Sequence, residues 1–418
     1  MAVKWNSIAL WAGVGAVILV AVLLSTLQNL GSSGKNGPYS IGMTFRGEAS
    51  TSRAFTWRYD QGEADGVLQV ALSRDGLVKD QADKLSFTAS REIRTGEKGK
   101  TEGVYQAEAS GLSPTTGYWY RVGDAAADVW SEPASFTTGP EAGADGEVSF
   151  LHVTDSQGET EADFRLWSRT LEQAVRQFPQ AAFIMHTGDL TENPEDPAAW
   201  RHFFDLARPV LSRLPLMPTT GNHDEVDNDA LEYRSRFFLP DNGITSKDKG
   251  PSYSFDYGPV HMVVLNTESD LNKQRDWLKK DLAASADKPW RIVAIHRGAY
   301  GGNRYDKLED WVKVFDEYQV DLVLQGHNHE YSRSYPLRGG KVVGNGDDPV
   351  RERTGTVYVT PNTAGPKFND KKEDLFYHKV HFQNKKQMFG GVTVAGKTLT
   401  YEAYDVDGRL LDRFVLEH

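Results

Sequence analysis

VDLVLQGHNHEY, residues 320–331, sets the reading of this chain. Its largely apolar run is what a strand buried on both faces carries. The run stops at Gly326, where the missing Cβ permits a sharp turn. His327 and His329 follow one residue apart, so both imidazoles can reach the same space beyond the strand end, an arrangement suited to a metal ion. Alone, a His-x-His pair is as readily a surface loop, and its company decides the matter.

Working outward, four more apolar runs end the same way. Residues 148–154 lead into Asp155, Ser156 and Gln157; residues 182–187 into Gly188 and Asp189; residues 216–220 into Gly221, Asn222, His223 and Asp224; residues 291–295 into His296. Helical patterns separate them: residues 162–178, with Phe164, Trp167, Leu171, Ala174, Val175 and Phe178 at three- and four-residue spacing behind a Thr160/Asp163 capping box, then 200–211, 276–284 and 307–318. Strands alternating with helices make an α/β sheet, whose ligands gather at the carboxyl ends of the strands. Any one of these residues could be a cap, a turn former or a satisfied interior histidine. Caps do not require histidines at the ends of three strands, so the set reads as one site.

Length and composition bound the rest. At 418 residues the chain is long for one core and suits two domains plus appendages; 39% hydrophobic and 25% charged residues are those of a folded protein. A net charge of −11 argues against nonspecific nucleic-acid binding, which needs a basic face. There is no cysteine, so any metal site is built from carboxylates, imidazoles and amides, which favours Mn, Fe or Zn on such ligands over a thiolate site.

Residues 8–27 form an apolar run of the length a membrane-spanning helix needs, longer than the apolar core of a cleaved signal. An uncleaved anchor is the expectation and a cleaved signal the alternative; Lys4 and the amine favour a cytoplasmic amino end, with everything after Gly31 outside. The linker GSSGKNG completes a 1–37 appendage. Residues 54–59, 67–72 and 118–122 then alternate as strands do, which predicts an all-β sandwich over 38–138. It is expected to be a spacer or docking module. GPEAGADGE, 139–147, reads as a linker, and 148–418 as the domain that carries the site.

The ordered set D-x-Q, G-D, G-N-H-D, H and G-H-x-H resembles that of the calcineurin-like metallophosphoesterases. The segments 112–124 and 130–140 resemble a fibronectin type III module and, more closely, the N-terminal domain of purple acid phosphatases. That resemblance implies a four-layer α/β sandwich and two divalent metal ions, Mn, Fe, Zn or a mixed pair. It implies that Asp189 bridges both ions, that Asp155 and His329 hold the first, and that Asn222, His296 and His327 hold the second. His223 would give a proton to the leaving oxygen, with Asp224 orienting it.

Two positions depart from purple acid phosphatases proper. Glu192 stands where their iron-bound tyrosine lies, three residues after the bridging aspartate, which puts a tyrosinate-bound ferric ion in doubt; Glu192 itself reads as a solvated cap. Gln157 stands where they carry glycine, and is assigned to the first metal through its amide oxygen. The implied activity is hydrolysis of phosphate esters, on a phosphorylated small molecule or nucleotide, outside the membrane. A phosphodiesterase or nucleotidase on the same centre, or a catalytically inactive surface binding protein, is the alternative. His152 and His186 read as interior supports. Arg297, Tyr300 and Tyr331 read equally as site lining or as packing, and segment 367–387 as a loop over the site or a basic surface.

Overall fold

A computed structural model describes residues 37–60, 65–79, 84–95, 101–141, 143–226, 229–245, 249–347 and 349–418. The apolar run 8–27, and with it the expected anchor or signal, lies outside the described residues. Among the described residues no helix is long and apolar enough to cross a membrane.

The first domain is a sandwich. One sheet runs in the order Tyr39–Thr44, Ser52–Asp60, Thr101–Ser110, Ser90–Thr95; the other in the order Leu85–Thr88, Gly66–Ala71, Gly117–Asp124, Val129–Trp130, with Ala134–Thr137 also on Gly117–Asp124. Phe55, Trp57 and Tyr59 alternate with residues of the opposite face and meet Leu68, Val70, Tyr118, Tyr120 and Phe136 in the core. The opposite face of Ser52–Asp60 is buried too, because it docks on the second domain. There Arg58 donates to Ser235 Oγ at 2.6 Å and pairs with Glu102, and Phe45 enters the core of the following domain. The sandwich is therefore fused to its neighbour through a buried seam, which the Arg94–Glu232 ion pair crosses at 2.8 Å.

The second domain stacks two sheets. The first has the order Leu216–Pro218, Ile184–His186, Glu147–Val153, Met388–Ala395, Thr398–Asp405, Leu410–Glu417, Val350–Arg351. The second has the order Tyr253–Tyr257, Val260–Val264, Trp290–Ala294, Leu322–Leu324, Val357–Thr360, Tyr331–Ser334, His378–Phe382. Period-two alternation sorts the second sheet's side chains. Met262, Val264, Ile292, Ala294, Leu322 and Leu324 face the first sheet's core, whereas Val263, Val293 and Val323 pack with Leu278, Leu282, Trp311 and Phe315 of the helices Leu271–Ala284 and Glu309–Glu317. Helices Glu161–Gln177 and Pro197–Leu206 cover the first sheet through Phe164, Trp167, Leu171, Trp200 and Phe203. The order is helix, sheet, sheet, helix.

His261 fastens one outer helix to its sheet. Its two nitrogens lie 2.7 Å from Asp256 and 2.8 Å from Asp281, the latter on the helix Leu271–Ala284. Burial alone would lower its pKa, but the two carboxylates push it up to about 9. Its folded pKa thus exceeds the unfolded value near 6.5, so its stabilisation is complete below that value and is lost as pH rises through about 9. Between pH 6 and pH 10 the wild type is expected to lose roughly 2–3 kcal/mol more stability than His261→Gln. Urea unfolding of both at the two pH values checks this, and parallel losses would refute it.

Candidate metal centre

The parallel strands of both sheets deliver their polar residues to one place. Asp155 and Gln157 follow Glu147–Val153, Asp189 follows Ile184–His186, and Asn222, His223 and Asp224 follow Leu216–Pro218. From the second sheet, His296 follows Trp290–Ala294, and His327 and His329 follow Leu322–Leu324. Backbone bonds continue past the strand ends: Thr187 N–H donates to Val153 at 2.9 Å, Asp155 N–H to Gly188 at 3.0 Å, and Gly326 N–H to His296 at 2.9 Å. The turns are tight enough to hold Asp155, Gln157, Asp189, His327 and His329 at positive φ, between 30° and 72°. That conformation is costly for side-chain-bearing residues and gathers at functional sites. Gly221 is required at its place, since a Cβ there would lie 2.2 Å from Asp189 Oδ1.

The donor atoms fall into two triads that share Asp189. One is Asp155, Asp189 and His329, the other Asp189, His296 and His327, and in each a donor atom per residue lies within 4.8 Å of the others. Backbone carbonyls fix the imidazoles. His296 Nδ1 is 2.7 Å from the Thr187 carbonyl and His329 Nδ1 is 3.0 Å from the Lys367 carbonyl. Carbonyls only accept, so both Nδ1 atoms donate and each neutral ring turns its Nε2 lone pair inward. His296 Nε2 then faces Asp189 Oδ2 at 3.1 Å and Asn222 Oδ1 at 3.3 Å, and His329 Nε2 faces Asp155 Oδ1 at 3.0 Å. Lone pairs opposed at such distances repel unless a proton or a metal cation lies between them. Asp155 Oδ1 and Gln157 Oε1 are buried with no hydrogen-bond donor among the described residues, which costs about 1–3 kcal/mol for each orphaned group. This donor set fits a pair of divalent ions.

Electrostatics agree. Burial would raise Asp155 and Asp189, yet His329 beside the first and His296 beside the second hold both below the ordinary carboxylate range. The same pairs, working against burial, push His296 up to about 10 and raise His329. His327, buried next to His296, falls to about 4.

Two expectations are corrected. Asp224 does not orient His223, because its carboxylate is filled by backbone donors: Asp189 N–H at 2.8 Å, Leu190 N–H at 3.0 Å and Gly221 N–H at 2.8 Å. Burial and the Asp189 carboxylate push it well above the ordinary range. Asp224 shapes the turns that present Asp189 and Asn222. His223 leans instead on Glu192, whose carbonyl lies 3.1 Å and whose Oε2 lies 3.3 Å from His223 Nδ1; the Glu192 carboxylate also pairs with Lys367. Glu192 is therefore not a solvated cap. His223 N–H donates to Asp189 Oδ1 at 2.8 Å, which ties this turn to the shared carboxylate.

The flanking residues sort plainly. Tyr300 packs against Tyr358 and Tyr377, and Tyr331 donates from its buried hydroxyl to Asp412 at 2.7 Å, so both belong to the core. Arg297 stays at the site, with Nε 2.9 Å from Glu268 and Nη1 3.2 Å from His327 Nε2. His152 and His186 support the strand ends through Thr187 Oγ1 and Ser156 Oγ. Segment 367–387 reaches the site through the Lys367 carbonyl and through Asn369 Nδ2, which donates to the Asn328 carbonyl at 2.7 Å. Asp374, His378 and His381 also lie close together, but their donors are engaged. His378 accepts from Leu375 N–H and donates to the Gly301 carbonyl, while Asp374 pairs with Lys371 and His381. They clasp a loop.

The family described as calcineurin-like phosphoesterase matches residues 148–331, and that described as purple acid phosphatase, N-terminal domain, matches residues 38–138. Acid phosphatase type 7 of Homo sapiens is 30% identical over 214 residues, covering 44% of this chain and 48% of the relative. Purple acid phosphatase 23 of Arabidopsis thaliana is 28% identical over 305 residues, covering 63% of this chain and 62% of the relative. Other Arabidopsis relatives are named probable inactive purple acid phosphatases. Matches to the first curated relatives span 32% to 62% of their lengths. The solved structure of purple acid phosphatase PPD1 from yellow lupin seeds shares the fold, with a TM-score of 0.78 at 19% identity over 91% of this chain and 74% of that one. The chain carries a calcineurin-like phosphoesterase domain over residues 148–331, behind a purple acid phosphatase N-terminal domain over residues 38–138.

Proposed function

We propose that the protein is a dinuclear-metal phosphohydrolase. The observation that carries this reading is the pair of acceptor triads that share Asp189 and turn imidazole lone pairs onto carboxylate and amide oxygens. Asp155, Gln157 and His329 would hold one ion, Asn222, His296 and His327 the other, and Asp189 both. Two divalent ions, Mn, Fe, Zn or a mixed pair, supply charge for the phosphoryl oxygens and acidify water toward neutrality when bound. The chain's own residues do the remainder. Glu192 takes the Nδ1 side of His223, which leaves Nε2 to carry the proton that the departing oxygen needs. The apolar run 8–27 and the net charge of −11 support an extracytoplasmic, membrane-anchored phosphatase acting on small phosphorylated molecules or nucleotides, with no nucleic-acid partner.

Elemental analysis of the purified protein, joined to hydrolysis of p-nitrophenyl phosphate and its bis ester, tests the reading. About two ions per chain, with activity lost to a chelator and restored by divalent metal, is the expected result. An ion-free, inactive protein would leave a surface binding protein on this scaffold, and faster hydrolysis of the bis ester would leave a phosphodiesterase. With Glu192 in the tyrosine's place, the same preparation is expected to show no tyrosinate-to-iron charge-transfer band. A purple preparation would contradict that.

A further inference from the structure

We propose that Arg297 grips a non-bridging phosphoryl oxygen and thereby makes the site prefer phosphate monoesters to diesters; this rests on the phosphohydrolase reading above. Arg297 Nε meets both carboxylate oxygens of Glu268, at 2.9 and 3.2 Å, and its guanidinium lies 5.3 Å from the ring centre of Tyr305. These contacts aim the fork, and Nη1 ends 3.2 Å from His327 Nε2. His327 belongs to the second acceptor triad. A fixed cation thus stands beside a place suited to another cation, and an anion between them offsets their repulsion. Among the described residues Nη2 has no protein acceptor, and the side chain keeps 24% of its surface open. Its spare donors have the geometry that recognises phosphate.

Stoichiometry of oxygens gives the preference. A monoester carries three non-bridging oxygens and two charges near neutral pH, so it would offer Arg297 an oxygen and a charge beyond those that the two ions would neutralise. A diester carries two such oxygens and one charge. Nothing remains for the guanidinium to hold.

The test uses protein carrying the ions with which it is purified. Binding of inorganic phosphate by calorimetry, and kcat/KM for p-nitrophenyl phosphate and its bis ester, are compared among wild type, Arg297→Ala, Arg297→Lys and Glu268→Gln. Arg297→Ala is expected to weaken phosphate binding and monoester kcat/KM by roughly 10- to 100-fold, the scale of charged hydrogen bonds, with diester hydrolysis changed less than about threefold. Arg297→Lys and Glu268→Gln should fall in between, since each keeps a positive charge at the site but loses the aimed fork. Unchanged phosphate affinity in Arg297→Ala, or equal losses for both esters, would overturn the proposal. So would loss of metal, which would make Arg297 a support for His327. A wild type that holds its ions but neither binds phosphate nor cleaves either ester would instead overturn the phosphohydrolase reading.

Discussion

Asp189→Ala is expected to remove both metal ions at once and to lower phosphatase activity by roughly 10⁴-fold or more, the scale on which a whole catalytic unit is lost. Asp189 alone belongs to both acceptor triads, whereas Asp155 and His329 serve one, and His296 and His327 the other. Asp155→Ala or His327→Ala is therefore expected to leave part of the metal bound. In the proposed centre the shared carboxylate would also offset the repulsion between two cations, so without it neither ion would help to hold the other. Asp189 Oδ1 accepts from His223 N–H as well, and alanine would loosen the turn holding Asn222. Asp189→Asn separates the two effects because its amide oxygen keeps that bond while the charge is gone. Metal content by mass spectrometry, with thermal unfolding in the presence and absence of divalent ions, decides the outcome. Ligand binding to the native state raises stability by about 2.7 kcal/mol at a hundredfold excess over Kd, so wild type should respond to metal and neither variant should do so fully. Two ions retained by Asp189→Ala would refute the shared-ligand role.

The parts legible in the sequence are those with a local period or a local stop. The capping box at Thr160 and the stripe from Phe164 to Ala174 specify the helix Glu161–Gln177, and the structure has both. Apolar runs that halt at Gly-Asp or Gly-Asn-His mark strand ends because a buried strand cannot continue through such residues. The expected helix over 200–211 divides into Pro197–Leu206 and Arg208–Leu211. Pro209 offers no N–H to continue the first helix but suits the first turn of the second.

What escaped the sequence depends on which way a turn faces. Asp224 adjoins His223, yet the tight turn points its carboxylate back to the amides of Gly221, Asp189 and Leu190. Glu192 meets His223 across 31 positions, and Lys367 meets His329 across 38. No period joins such residues. Nor does any local pattern show that the closing hairpins Met388–Ala395, Thr398–Asp405 and Leu410–Glu417 extend the first sheet, with Met388–Ala395 antiparallel to Glu147–Val153. A long-range ladder of that kind is chosen by tertiary burial, which covers nearly all of Met388–Ala395 but fully buries only one face of Thr398–Asp405.

His223→Ala is expected to retain both ions and lower turnover by roughly 10²–10⁴-fold, because its side chain touches Glu192 and none of the acceptor triads includes it. The size of the loss should depend on the leaving group. An alkoxide departs only with a proton, so alkyl phosphates should suffer the full loss, whereas p-nitrophenolate departs readily as an anion and should suffer little. A purely structural role for His223 would slow every substrate alike. Glu192→Gln supplies the graded control. Its backbone carbonyl, 3.1 Å from Nδ1, still orients the ring, while the carboxylate that would stabilise a charged imidazole is gone. The loss in Glu192→Gln should therefore be smaller than in His223→Ala and follow the same leaving-group trend. In the proposed mechanism both substitutions would act on one proton transfer, so the double variant should be no slower than His223→Ala alone. Additive losses in the double variant would mean that Glu192 acts on the metals, or on Lys367, independently of His223.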